Sequence, residues 1–172
     1  GIEEFDREGR TIVADYDDFV LVGAYFPNGS RDHSRVPFKL AYSEAFLAYC
    51  NQLRAAGKPV IFCGDVNTAH QPIDLARPDE NQNTTGFLPE ERAWIDAVVA
   101  AGYIDIFRAL HPDLAGAYTY WPYWRSSRAR NIGWRIDYFF ITPDLRARVA
   151  AAEIHAAVMG SDHCPISLTL EE

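Results

Sequence analysis

The first apolar positions fall in two β-branched and aromatic runs, Thr11 to Tyr16 and Phe19 to Phe26, broken by Asp17 and Asp18. That pattern predicts a hairpin with a two-residue turn. After a polar loop, Phe38, Tyr42, Ala45, Phe46, Tyr49 and Leu53 recur at helical spacing, with Pro37 near the start and Gly57 past the end. They predict an amphipathic helix over 37–56. Pro59 to Cys63 is a short apolar run stopped by Gly64, the mark of a buried strand. Residues 65–88 form a long polar connection, a length that inside a domain is usually functional or disordered. Pro89, Glu90 and Glu91 open a second helix carrying Trp94, Ile95, Val98 and Val99 and closed by Gly102. Ile104 to Leu110 fits a strand or a short helix, and further strands are predicted at 134–142, 149–157 and 166–170. The order is α/β, a mixed sheet with helices packed on it, whose loops can converge on one site.

Composition narrows the class. With 172 residues, 48% of them apolar, the chain fits one globular domain over 1–172. No apolar run approaches the roughly 18 residues that cross a bilayer, so no membrane partner is expected. Cys50, Cys63 and Cys164 are an odd number without metal-like spacing, which suits a reducing, cytoplasmic compartment.

The net charge of −8 argues at first against a nucleic-acid partner, but it is unevenly spread. Seven acids (Glu3, Glu4, Asp6, Glu8, Asp15, Asp17 and Asp18) against Arg7 and Arg10 place −5 in residues 1–18. Tyr118 to Ile136, by contrast, carries Arg125, Arg128, Arg130 and Arg135 and no acid, interleaved with Tyr118, Tyr120, Trp121, Tyr123, Trp124 and Trp134. A charge run alone would be a solvated loop. Six aromatics within it make it a candidate footprint for an anionic polymer.

Four segments carry candidate chemistry. Asp65 and Asn67 follow the buried strand, on one face by the two-residue period, although such turns are more often structural than catalytic. Asp162 and His163 precede the last strand, and a lone Asp-His pair is equally weak. Asp137 sits inside an apolar strand, where a carboxylate is costly unless paired, so it asks for a partner such as a histidine. Tyr25 ends the second strand, and Pro27 throws Asn28 into a loop.

Together, and in this order, the segments resemble the exonuclease III family within the endonuclease, exonuclease and phosphatase superfamily that includes DNase I. The matching stretches are YFPNG from Tyr25, VIFCGDVN from Val60, GFLPEERAWID from Gly86, NIGWRIDYFF from Asn131 and GSDHCPI from Gly160. The resemblance spans essentially the whole chain. It implies a DNase I-like fold, part of a four-layer α/β/β/α sandwich. It also implies that the chain corresponds to the carboxyl-terminal two-thirds of such an enzyme, without the stretch that supplies an N-G-I-R-like segment and a magnesium-binding Glu. One sheet would then lack its cover unless a complementary amino-terminal segment supplies it. The assembly is otherwise expected to be a monomer.

The activity implied is magnesium-dependent cleavage of double-stranded DNA 5′ to abasic sites, with 3′ to 5′ exonuclease activity, manganese serving as the substitute ion. In that reading Tyr25, Asp65, Asn67, Asp137 and His163 are catalytic, and Asp65, Asn67, Asp162 and His163 surround the metal. Asp137 would hold His163 against the phosphoryl group, and either Asp65 or His163 would be the base. Asn28, Tyr120, Asn131, Trp134 and Arg130 would bind substrate, with Tyr120 and Trp134 forming a small pocket for a flipped abasic nucleotide. Two rivals remain: another phosphodiesterase of the superfamily, acting on RNA, inositol phosphates or lipid, and a catalytically incomplete chain that only binds DNA.

Overall fold

A computed structural model describes residues 1–171. After a four-residue turn of helix, α1 (Glu3–Asp6), the predicted hairpin forms as β1 (Thr11–Asp15) and β2 (Val20–Ala24). Helix α2 (Val36–Ala55) follows, with its proline in the first turn, and then β3 (Val60–Asp65). The polar connection contains two 3-10 turns, Pro72–Asp74 and Pro78–Asn81, and is otherwise irregular. Helix α3 spans Pro89–Ala100.

The segment that fitted either element contains both. Strand β4 (Ile104–Asp105) runs directly into α4 (Ile106–Leu110), where the Asp105 carboxylate accepts from the Arg108 backbone N–H as an N-cap. The chain closes with β5 (Asp137–Ile141), β6 (Val149–Ile154) and β7 (Ile166–Leu170).

Five strands make one sheet in the order β1-β2-β3-β5-β4, and β6 and β7 pair separately. Among the described residues only β2 and β3 run parallel, joined by the α2 crossover. The two-residue alternation divides the sheet cleanly. Val20, Val22, Val60, Phe62, Tyr138 and Phe140 face α2 and α3, where Phe46 and Trp94 complete an aromatic core. Ile61 and Ile141 face the other way, against Ala152 and the half-buried Leu168 of the β6–β7 pair. Helices, main sheet and second small sheet are thus stacked in the order expected of a DNase I-like sandwich. The second face is covered toward β5, whereas Ile12 on the edge strand β1 is 74% exposed.

Three sequence expectations change. Strand β5 begins at Asp137 rather than Trp134, because Trp134 makes isolated bridges to Leu75 and Tyr120 outside the main sheet and the next two residues, Arg135 and Ile136, are buried. Asp137 therefore opens a strand instead of interrupting one. Strand β6 ends at Ile154, short of the expected 157, where the chain turns. Arg135 is not part of a DNA-facing surface: it is 1% exposed, and its guanidinium donates to Asp74 (2.8 Å) and in bidentate fashion to Asp105 (2.7 and 3.1 Å). Arg108 donates to the same Asp74 carboxylate at 2.6 Å, so the buried charges form one compensated network.

Candidate active site

The site forms where β3 and β5 end side by side. Gly64, at φ +129°, is required for the approach: a Cβ there would lie 2.0 Å from the Ala24 carbonyl oxygen. The strand then delivers Asp65, and the chain reverses through Asn67 at φ +54°. This left-handed turn, rather than a continued strand, brings the two side chains together. The Asn67 backbone N–H donates to Asp65 Oδ1 at 2.8 Å, and its amide Nδ2 donates to Asp65 Oδ2 (3.2 Å) and to the Phe26 carbonyl (2.9 Å). Asn28 donates to Asn67 Oδ1 at 3.2 Å.

Asp137 is the register partner of Asp65 across the antiparallel β3–β5 pair. Its Oδ2 lies 2.9 Å from Nδ1 of His163, which answers the expectation that this carboxylate needs a histidine. His163 Nε2 points to Asp65, 4.0 Å from its Oδ2. The imidazole arrives on the segment before β7, which bridges to Tyr120, and its ring centroid is 5.0 Å from that of Tyr120.

The electrostatics separate the roles of the two titrating groups. Burial, and then the charge of Asp137, push the Asp65 carboxyl up to about 7, against opposing contributions from the Asn67 N–H, His163 and Lys39. Burial of His163 disfavours its cation. The bond to Asp137 and the charges of Asp137, Asp65 and Asp162 outweigh that, so its pKa is raised.

A cleft of about 520 Å³ opens over this pair. Tyr25, Asn28, Asp65, Asn67, Tyr120, Trp134, Asp162 and His163 all line it, so eight of the expected site residues converge. Tyr25 is 55% exposed at the mouth, with the Arg10 guanidinium 5.0 Å from its ring centroid and donating to its carbonyl. Tyr120 and Trp134 are held in register by mutual backbone bonds of 2.9 Å.

Other expected residues stand elsewhere. Asn131 is outside the cleft, accepting from Trp121 Nε1 and donating to the Gly116 carbonyl. Arg130 is exposed and also outside it. Arg128 is bound to the carbonyls of Ala156, Val158 and Ser161, where it pins the segment leading to His163. Tyr118 and Trp121 are buried, so of the six loop aromatics only Tyr120, Trp124 and Trp134 line the cleft.

Arg77, Asn81, Thr84, Thr85 and Gly86, all in the polar connection, also line the cleft and were not named from sequence. The length of the polar connection was their only signal. A larger cavity of about 770 Å³, between α4 and β6, is mainly apolar and holds none of the titrating pair.

Among the described residues, no group of three or more His, Cys, Asp or Glu side chains is placed to hold a metal ion. Asp65 and Asp162 both line the cleft and are the oxygen donors that would hold magnesium there. The Asn67 amide is already committed to Asp65, Phe26 and Asn28, and His163 Nδ1 to Asp137. Magnesium takes oxygen donors and keeps several waters, being bound through one or two carboxylates together with substrate phosphate oxygens, which two carboxylates in a DNA cleft fit.

Residues 1–163 match the model of the endonuclease/exonuclease/phosphatase family. The chain belongs to that family. It is 45% identical over 170 residues to an exodeoxyribonuclease of Bacillus subtilis, covering 99% of this chain and 67% of that relative. It is 46% identical to the DNA repair nuclease APEX1 of Danio rerio, again over 99% of this chain but 54% of the relative. The chain thus spans about half to two thirds of these proteins. An AP endonuclease structure from Archaeoglobus fulgidus superposes with a TM-score of 0.90 at 26% identity, covering 99% of this chain and 68% of that one. That from Leishmania major gives 0.87 at 27% identity, covering 95% and 55%. The exonuclease III-like resemblance and the DNase I-like fold both hold. No helix among the described residues is long and apolar enough to cross a membrane.

Proposed function

We propose that this chain carries the acid-base centre of a DNA repair nuclease that hydrolyses duplex DNA 5′ to abasic sites, with 3′ to 5′ exonuclease activity. The observation that carries the reading is the Asp65, His163 and Asp137 line, with contacts of 4.0 and 2.9 Å, at the base of an aromatic cleft. Names of relatives at 45–46% identity support the substrate class.

Hydrolysis needs a positioned water, neutralised phosphoryl oxygens and help in proton transfer. His163, its cation favoured by Asp137, supplies positive charge toward a phosphoryl oxygen through Nε2. Asp65, its pKa raised to about 7, acts in its carboxylate form: it takes a proton from the attacking water as the new P–O bond forms, and the O3′ alkoxide released when the P–O3′ bond breaks is protonated from solvent. Asn67 fixes the Asp65 carboxylate, and the exposed Tyr25 hydroxyl donates to the scissile phosphate. Tyr120 and Trp134 accept a sugar without a base, which costs little to flip out. Magnesium, the ion expected of such a nuclease, would supply further charge neutralisation. Asp65 and Asp162 would hold it, and a complementary amino-terminal segment is the partner proposed to add a further carboxylate.

The test is magnesium-dependent cleavage of a duplex bearing one abasic site, by this chain alone and with an amino-terminal complement cut from the Bacillus relative. Cleavage only with the complement supports the proposal. Cleavage without it would refute the need for further metal ligands, and none in either case would favour the binding-only alternative. RNA or inositol phosphates cleaved in preference would overturn the substrate assignment.

A further inference from the structure

Beneath the cleft lies a pair of charges that the hydrolysis described above does not use. Lys39 of α2 and Glu91 of α3 are 2% and 1% exposed, and Lys39 Nζ lies 2.7 Å from Glu91 Oε1. Two charges buried at this depth are seldom a source of stability, since desolvation consumes most of their attraction. What they touch is more informative. The same ammonium donates to the backbone carbonyl of Asn67 at 2.6 Å. Glu91 also accepts from the Thr85 hydroxyl (2.9 Å), the Gly86 N–H (2.5 Å) and the Leu88 N–H (3.1 Å).

These bonds reach two segments that line the cleft. Asp65 and Asn67 belong to the one that follows β3, and Thr85 and Gly86 to the one that precedes α3. The Ala69 N–H donates to the Gly86 carbonyl at 2.8 Å, a third tie between the two. Gly86, at φ +93°, packs so closely that a Cβ would stand 3.1 Å from the Asn67 carbonyl oxygen and 3.3 Å from the Trp134 ring. A residue in the left-handed region other than glycine costs energy unless its surroundings hold it there, and Asn67 is such a residue.

We propose that Lys39, paired with Glu91, is a positioning residue: its bond to the Asn67 carbonyl holds the turn that aims Asp65 and Asn67, and Glu91 fixes the Thr85–Gly86 segment that packs against that turn. The role rests on the nuclease reading for its consequence, but not for its geometry.

Amide hydrogen exchange tests it on Lys39→Met and on the double variant Lys39→Met with Glu91→Gln, in which neither charge is left orphaned. The reporters are the Asn67 and Ala69 amides, with Phe62 in the middle of β3 as reference. In the double variant Asn67 and Ala69 should exchange at least about tenfold faster than in the parent while Phe62 does not change. Where abasic-site cleavage is measurable, kcat should fall at nearly constant KM. Unchanged protection at Asn67 and Ala69, or acceleration no greater than that of Phe62, would overturn the proposal. Exchange reports on the turn whether or not DNA is cleaved, so a chain that shows the selective loss but stays inactive both alone and with the amino-terminal complement retracts the nuclease reading and leaves this one standing.

Discussion

Asp65 and Asp137 are register partners on neighbouring strands, yet they meet different faces of one imidazole: Asp137 bonds Nδ1 of His163 and Asp65 faces Nε2. Burial, and then the neighbouring Asp137 charge, disfavour the ionised form of Asp65. Asp137, bonded to the histidine, favours its cation, and Asp65, buried and repelled, is the one pushed up to about 7.

Asp137→Asn should therefore lower the His163 pKa, because the hydrogen bond and charge that outweigh its burial are lost. An NMR titration of the His163 ring reads this directly. Cleavage should drop by about 10²–10⁴, the usual range for a lost acid-base arrangement. A His163 titration unchanged in Asp137→Asn would show that the pair does not exist in solution.

Asp65 links stability to pH. Its folded pKa is raised from 3.8 to about 7, so its contribution is present below pH 4 and is lost as pH rises through 7. Asp65→Asn cannot ionise and should not show that loss. Thermal melts should find the variant gaining on the parent between pH 5 and 8, at roughly 2–4 °C per kcal/mol for a domain of this size. Parallel Tm curves across that range would contradict the raised pKa.

Arg135→Met leaves Asp74 and Asp105 buried, with Asp74 retaining Arg108. Denaturant unfolding should show a loss of about 3–5 kcal/mol, the cost of breaking a buried network from one side. A substitution at the exposed Arg130 should cost almost nothing in the same measurement.

Trp134→Ala should widen the cleft, reduce incision at an abasic site and relax discrimination against a normal base. Kinetics on paired substrates, in a preparation that cleaves, measure both. Incision left at the parent rate would remove Trp134 from the pocket.

The hairpin, both long helices, β3 and the last strand were legible because each depends on local spacing, caps and turn residues. The position of Asp137 was legible as a problem: a carboxylate among apolar neighbours demanded a partner, and His163 is that partner. Arg135 is not legible as buried, because charge counted along a chain says nothing about the direction of a side chain. Its side chain turns into the core, while three residues earlier Ile132 lines the cleft. Asn131 and Arg128 likewise bond backbone carbonyls that only the folded loop brings near.

Sequence by itself determined the elements, the family likeness and the residue types of the chemistry, since these follow from periodicity and from the short motifs ending β2, preceding β5 and preceding β7. Tertiary structure alone decided which charges are spent in the interior and which face the cleft. Lys39 and Glu91 lie 52 residues apart, and Arg135 and Asp74 lie 61 apart. No local pattern pairs residues at such separations. The pairing is set by desolvation, which leaves a buried charge no alternative to its partner.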